Sequence, residues 1–151
     1  MRRPRALLFD MFGTVVDWQN TVAPFLEQRA KRDATSDQLQ AAVSVIDWLE
    51  FTKSWRQGYF RRTTEIRNQQ LHEGFTDVDQ IHLELLIELV KKHGIEGLWS
   101  SQECADINKI WHRLEGWPDS SEALKKLKKS FIIATLTNGM NAAIFINPSF
   151  N

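Results

Sequence analysis

The sequence predicts an α/β protein in which a parallel sheet is interrupted by a long helical insertion. Two β-rich runs, ALLF at 6–9 and FIIAT at 131–135, lie near opposite ends of the 151-residue chain, and each is followed by a polar turn. Between them apolar residues recur at helical spacing. Parallel strands need a crossover of only about a dozen residues. The excess predicts a helical domain, residues 17–112, inserted into an incomplete sheet core of residues 1–16 and 113–151.

The first strand, Arg5–Phe9, is apolar on both faces, which is typical of buried parallel strands. A helix is predicted next over Asp17–Arg32. Asn20 or Thr21 can cap it, and Pro24 suits its first turn.

Three further helices are predicted within the insertion. A long one starts at Thr35 or Ser36 and runs to about Phe60 or further. A second opens with Thr76 and Asp79, whose spacing resembles a capping box, and ends near residue 94. A third covers about residues 100–114.

The segment that returns to the sheet begins with a loop and a short helix. Asp119 or Ser120 can cap this helix, and its lysines gather at the end that the helix dipole favours for cations. This lysine run is therefore interpreted as a solvated helix end. The second strand starts at Phe131.

Composition excludes several classes of protein. Nineteen basic and nineteen acidic residues balance, so no general attraction to nucleic acid or anionic membrane is expected. No run approaches the roughly 20 apolar residues of a membrane span. Cys104 is the single cysteine, which favours a reducing, cytoplasmic setting. The four histidines show no compact ligand spacing, so neither a metal site nor a cofactor is predicted.

Asp10, at the tip of the first strand, is the first candidate for chemistry. A carboxylate with an ordinary pKa of about 4 is ionised at pH 7 and can act as a nucleophile. Gly13 permits a tight turn, and the Thr14 hydroxyl can hold the carboxylate by a hydrogen bond. The structural alternative is that Asp10 only caps the turn that follows it.

Two motifs give this pattern a specific resemblance. FDMFGTVVDW at 9–18 resembles the first motif of the haloacid dehalogenase superfamily, and IIATLTNG at 132–139 resembles the second. The resemblance implies a partial Rossmann-like sheet under a helical cap. It makes Asp10 the nucleophile, with Thr14, Thr137 and Asn138 orienting it and the substrate.

Phe12 narrows the resemblance to one branch. The superfamily's phosphatases usually carry a second Asp at this position, which protonates a leaving alcohol. A halide departs as a stable anion and needs no proton. The motif is similar to that of the L-2-haloacid dehalogenases, and a magnesium phosphatase is disfavoured.

A third segment supports this branch. SWRQGY at 54–59 resembles a stretch whose arginine contacts the departing halide in these enzymes. The resemblance implies that role for Arg56, with Tyr59 as a substrate neighbour. An always-charged guanidinium suits an anion. Without the other motifs, Arg56 would be interpreted as a solvent-facing helix residue.

The implied reaction is hydrolysis of a small 2-haloalkanoic acid through an ester on Asp10. The backbone N–H groups of Met11 and Phe12 are candidate anion donors, and Gly139 is a further substrate-binding candidate. Phe12, Trp18 and Tyr59 are expected to exclude water from the first step.

The resemblance ends after the second motif, so the sequence is interpreted as truncated there. The lysine and acidic motifs that follow in the family have no matching positions. An unpaired strand edge and exposed apolar surface are expected, and the activity of these 151 residues stays open. One alternative is a phosphatase or another hydrolase of the superfamily. The other is a non-catalytic interaction module, with a homodimer through the exposed edge as one form.

Overall fold

Two short strands, β1 (Ala6–Phe9) and β2 (Ile132–Thr135), form a parallel sheet in the computed structural model. The structure describes residues 4–68 and 77–136, apart from the Arg67 side chain. The register pairs Ala6 with Ile132 and Phe9 with Thr135. Both strands therefore end at the same edge, which confirms the predicted parallel pairing.

Six α-helices and one 3₁₀ helix are present in the described part of the chain. They are α1 (Trp18–Asp33), α2 (Asp37–Ser44), α3 (Trp48–Asn68), α4 (Val78–Lys92), α5 (Ser101–Asn108), a 3₁₀ turn (Lys109–His112) and α6 (Ser120–Lys128). The mostly helical chain with a parallel sheet confirms the α/β fold class. No helix among the described residues is long and apolar enough to cross a membrane.

The chain divides into two compact units. The sheet unit consists of Met1–Thr21 and Trp111–Asn151, and the helical unit consists of Val22–Ile110. The sequence predicted an insertion over residues 17–112 between core segments 1–16 and 113–151. The assignment of the two units as core and cap stays a prediction.

Helix α1 begins earlier than the predicted cap allows. Asp17 accepts hydrogen bonds from the backbone N–H of Asn20 at 3.2 Å and from its side-chain amide at 2.6 Å. Asp17 therefore occupies the capping position that was predicted for Asn20 or Thr21. In consequence Pro24 lies inside the helix and not in its first turn.

The predicted long helix is two helices. Ser36 caps α2 by accepting from the N–H of Leu39 at 3.2 Å, which confirms the predicted start. The chain then leaves the helix after Ser44. Asp47 accepts from the N–H groups of Leu49 and Glu50 at 3.0 and 2.9 Å, so it caps a new helix, α3.

The remaining helix boundaries also differ in detail. Asp77 caps α4 through the N–H of Asp79 at 2.9 Å, while Thr76 lies outside the described residues. Ser100 and Glu103 form a reciprocal capping box that starts α5. The helix predicted to run to Leu114 ends earlier, because the chain tightens into the 3₁₀ turn after α5.

The helical unit buries a continuous set of large side chains. Those with almost no exposed surface include Leu26, Phe51, Trp55, Leu86, Ile95 and Ile107. The sheet is covered less completely. Helix α6 contacts β2, yet Leu8 and Ile132 are 63% and 66% exposed. In this register both side chains point to the same face of the sheet, which is therefore apolar and open.

Candidate active site

The carboxyl ends of β1 and β2 define the edge at which the candidate site lies. Asp10 follows β1 directly, and the N–H of Leu136, just after β2, donates to the carbonyl of Phe9 over 2.9 Å. Ligands of open α/β sheets bind beyond such strand ends. Thr137, Asn138 and Gly139 lie outside the described residues, so their predicted roles stay predictions.

Asp10 is exposed to solvent at the tip of β1. Its Oδ2 accepts a hydrogen bond from the Thr14 hydroxyl over 3.2 Å. The backbone N–H groups of Gly13, Val15 and Val16 donate to carbonyl oxygens and not to this carboxylate. Within the described residues, Asp10 is thus held from one side by a hydroxyl.

The turn that carries Thr14 is tight and internally bonded. The Met11 carbonyl accepts from the N–H groups of Val15 and Val16, each at 3.0 Å, and the N–H of Gly13 donates to Val16 at 2.9 Å. Gly13 has a φ of +87°, in the left-handed region that side chains disfavour. This glycine lets the chain reverse directly after the carboxylate.

A distant segment of the sheet unit holds the same turn from outside. The N–H of Trp117 donates to the Val15 carbonyl at 3.1 Å, and the Ser120 hydroxyl donates to the same oxygen at 2.9 Å. The Trp117 indole N–H donates to the Gly13 carbonyl at 3.2 Å. Trp117 was not predicted as a site residue, and Ser120 was predicted only as a helix cap, because no local pattern indicates bonds that span about a hundred residues.

Aromatic side chains lie beside the turn in the sheet unit. Phe12 is partly buried, and its ring centroid lies 6.5 Å from that of Trp111. Trp18 lies 6.1 Å from the same Trp111 ring. Phe12 and Trp18 therefore share one aromatic cluster, and an apolar residue occupies the position where the superfamily's phosphatases usually carry an acid.

Arg56 lies on α3 in the helical unit, within an aromatic setting. Its guanidinium carbon is 4.6 Å from the Phe60 ring centroid and 5.2 Å from that of Tyr59. Tyr59 is buried and stacks on His82 with centroids 4.9 Å apart. The helical spacing of four residues between Arg56 and Phe60 is the signal that could have identified Phe60 beforehand.

The predicted residues thus fall into three groups. Asp10, Met11, Phe12 and Thr14 share one turn of the sheet unit, whereas Arg56 and Tyr59 belong to the helical unit. The third group, residues 137–139, lies outside the described residues. The catalytic and binding roles of all three groups stay predictions.

Metal binding and thiol chemistry are the two other kinds of site that the side chains of this protein bring into question. Among residues 4–68 and 77–136, no group of three or more His, Cys, Asp or Glu side chains could hold a metal ion. Cys104 is 3% exposed, and burial, with a smaller contribution from Glu103, raises the pKa of its thiol. A buried thiol with a raised pKa is a poor nucleophile, which agrees with Cys104 as a core residue.

Comparison with known proteins identifies the family. The sequence model of the haloacid dehalogenase-like hydrolases matches residues 4–144. The comparison with curated proteins found no match.

Solved structures with this fold include several dehalogenases. The defluorinating L-2-haloacid dehalogenase Rha0230 is 30% identical with a TM-score of 0.79, over 99% of this chain and 56% of that one. The L-2-haloacid dehalogenase PA0810 is 30% identical with a TM-score of 0.75, over 94% of this chain and 55% of that one. The L-2-haloacid dehalogenase from Xanthobacter autotrophicus, at 22% identity and a TM-score of 0.66 over 94% of this chain and 49% of that one, shows the fold alone.

This chain therefore spans about half the length of the solved structures that it matches. The family match, by contrast, extends over nearly all of the chain's own residues, including both strands and the Asp10 turn. The chain belongs to the haloacid dehalogenase-like hydrolases.

Proposed function

We propose that Asp10 is the nucleophile of an L-2-haloacid dehalogenase reaction on small 2-haloalkanoic acids. The observation that carries the proposal is the exposed Asp10 carboxylate at the end of β1, held by the Thr14 hydroxyl at 3.2 Å. Phe12 next to it supplies no second acid. The two solved structures at 30% identity, both L-2-haloacid dehalogenases, support the same branch.

In the first step an Asp10 oxygen attacks C2 of the substrate. A carbon–oxygen bond forms while the carbon–halogen bond breaks, and the halide leaves with the bonding electrons. The product is an ester of Asp10 with inverted configuration at C2. No acid has to protonate the leaving group, which agrees with a phenylalanine at position 12.

In the second step water adds to the carbonyl carbon of the ester. The ester bond breaks, the 2-hydroxy acid leaves, and Asp10 is regenerated as a carboxylate; one proton is released per turnover. Thr137, Asn138 and Gly139 are proposed to orient the carboxylates, with the N–H groups of Met11 and Phe12 as anion donors.

Arg56 is proposed to receive the departing halide. Its charge persists at any working pH, and two aromatic rings, those of Tyr59 and Phe60, lie against its guanidinium. Tyr59 is buried against His82. Its proposed contribution is to fix the orientation of the Arg56 guanidinium and to exclude water.

The test is to incubate the chain with (S)-2-bromopropionate and to measure bromide release and intact mass. We expect a mass increase equal to one propionate group, mapped to Asp10 by peptide fragmentation, and a product of inverted configuration. Asp10→Asn should lose both the adduct and halide release. Arg56→Ala should form the adduct more slowly, by roughly tenfold or more, since a lost charge-assisted contact costs about 1.5–3 kcal/mol.

Two other outcomes would replace this proposal. Hydrolysis of p-nitrophenyl phosphate that depends on magnesium, without any adduct from the bromoacid, would point to a phosphatase. A chain that forms no adduct but dimerises in light scattering would be an interaction module. The exposed Leu8 and Ile132 on the open sheet face favour this as the second candidate function.

A further inference from the structure

The two carbonyls on either side of Thr14 are both held from outside the turn. The Gly13 carbonyl, directly before Thr14, accepts from the Trp117 indole N–H at 3.2 Å. The Val15 carbonyl, directly after it, accepts from the Trp117 backbone N–H at 3.1 Å and from the Ser120 hydroxyl at 2.9 Å. Thr14 therefore lies between two anchored peptide groups.

We infer that Trp117 and Ser120 are positioning residues for the nucleophile, acting through Thr14. The Thr14 hydroxyl contacts Asp10, and the direction of that hydroxyl depends on the backbone that Trp117 and Ser120 hold. The chemical part of this inference rests on the proposed function of Asp10. The structural part, the anchoring of the turn, does not.

The burial of Trp117 supports a role for its donors. The Trp117 side chain is 36% exposed, so packing in the core does not by itself account for this residue. Both of its N–H groups nevertheless reach carbonyls of the same turn. Ser120 is 8% exposed, and its hydroxyl fills the second acceptor position of the Val15 oxygen.

A neighbouring pair of bonds holds the exit of the turn. The N–H of Asp17 donates to the Glu115 carbonyl at 2.8 Å, and the N–H of Glu115 donates to the Thr21 hydroxyl at 3.1 Å. The chain on both sides of α1's start is thus fixed even without Trp117. Removal of the Trp117 donor should loosen the turn locally and leave the fold of the sheet unit in place.

A loosened turn affects the reaction rate more than substrate binding. Attack at carbon needs the nucleophile within about 3–3.5 Å and aligned with the breaking bond, so small losses of orientation lower the rate steeply. Neither Trp117 nor Ser120 supplies a donor to the substrate in this arrangement. We therefore expect a lower kcat with an unchanged KM.

The experiment compares four variants with the parent chain of 151 residues. Trp117→Phe keeps an aromatic ring, although a smaller one, and removes the indole donor, and Ser120→Ala removes the hydroxyl. Ser120→Thr retains a hydroxyl and is the rescue variant. Trp48→Phe is the matched control, because the Trp48 indole N–H makes no hydrogen bond within the described residues.

Two structural readouts apply whether or not the chain is active. Amide hydrogen exchange at Gly13, Val15 and Val16 should accelerate about tenfold in Trp117→Phe and Ser120→Ala, which corresponds to one lost hydrogen bond of about 1.4 kcal/mol. The methyl order parameter of Thr14 should fall in the same variants. Ser120→Thr and Trp48→Phe should retain the parent values for this turn.

The kinetic readout is the rate of ester formation at saturating bromoacid. A fall of about tenfold with unchanged KM, restored in Ser120→Thr, supports the inference. Parent-like exchange and Thr14 order in Trp117→Phe and Ser120→Ala would overturn it, as would a loosened turn with an unchanged rate. If the parent forms no adduct, the proposed function fails, and exchange together with Thr14 order still decides whether Trp117 and Ser120 position the turn.

Discussion

The Thr14 hydroxyl donates to Asp10 Oδ2 over 3.2 Å, across a turn in which Gly13, the fourth residue after β1, is left-handed. The carboxylate comes from the end of a strand, whereas the hydroxyl comes from the turn. The orientation of Asp10 therefore depends on the conformation of the turn as much as on the sheet. Two variants of the turn test this dependence.

Replacement of Thr14 by Ala should slow ester formation at Asp10 by roughly tenfold. A hydrogen bond to a charged group is worth about 1.5–3 kcal/mol, and the length and exposure of this one place it at the low end. Thr14→Ser keeps the hydroxyl and should stay close to the parent. Mass spectrometry of samples quenched at successive times measures the rate of adduct formation in both variants. Equal rates for Thr14→Ala and Thr14→Ser would contradict the role of the hydroxyl.

Replacement of Gly13 by Ala should lower the free energy of unfolding by about 1–2 kcal/mol, because φ is +87°. Gly97, with a φ of +89° and no atom within 4 Å of an added Cβ, is the matched control. Gly97→Ala should lose similar stability in urea titrations. Only Gly13→Ala should also slow ester formation. Equal kinetic effects would mean that the loss comes from stability alone.

Local sequence signals located most elements but not every boundary. Ser100 and Ser36 cap helices that the sequence predicted to start at or beside them. The break before α3 was invisible to periodicity, because Leu39, Val43, Ile46 and Leu49 keep helical spacing across it. The break is marked by the C-cap of α2 at Val45 and by the capping bonds of Asp47, which start α3.

The candidate site shows the same division between local and distant signals. Asp10 and Thr14 are four residues apart, so a short motif predicts their contact. The bonds from Trp117 and Ser120 join residues that are 104 and 105 positions apart. Such bonds depend on how the chain returns to the sheet, which a single sequence does not encode in any short pattern.

A third prediction concerns pH and the ion-pair cluster around Asp33 in the helical unit. Burial on its own raises the pKa of Asp33, but hydrogen bonds from Arg32, Arg29 and Trp99 favour the charged form. Together they hold the pKa of Asp33 below its ordinary value of 3.8. The Trp99 indole N–H donates at 3.1 Å, and Arg32 Nε at 2.8 Å.

Asp33→Asn should therefore destabilise the chain at neutral pH, and the difference from the parent should shrink in acid. A carboxylate whose pKa is lowered in the folded state contributes stability that is fully present above pH 3.8, its ordinary pKa. This stability is lost as the pH falls through the pKa of the folded state. Urea titrations from pH 7 to about 2.5 measure the difference. A constant difference over that range would contradict the prediction. Glu96→Gln, an exposed carboxylate without an ion pair in the described residues, is the control.

The fourth prediction concerns the contact between α3 and α4. Gly58 is buried on α3, and an added Cβ would lie 2.8 Å from Cδ2 of Leu85 on α4. Leu85 is itself 3% exposed, so a shift of its side chain would disturb its other packing contacts. Gly58→Ala should therefore lower the free energy of unfolding by about 1–3 kcal/mol, the usual cost of overpacking a core.

A double-mutant cycle separates this clash from other effects of the glycine. Leu85→Ala alone should cost about 2–5 kcal/mol through the cavity that it leaves. Once Leu85 is truncated, the methyl group that Gly58→Ala introduces has space. Alanine also favours the helix over glycine by about 1 kcal/mol. In the Leu85→Ala background, Gly58→Ala should therefore leave the free energy of unfolding unchanged or raise it. Urea titrations of the four proteins give the coupling, and additive losses would show that Leu85 is not what excludes a side chain at position 58.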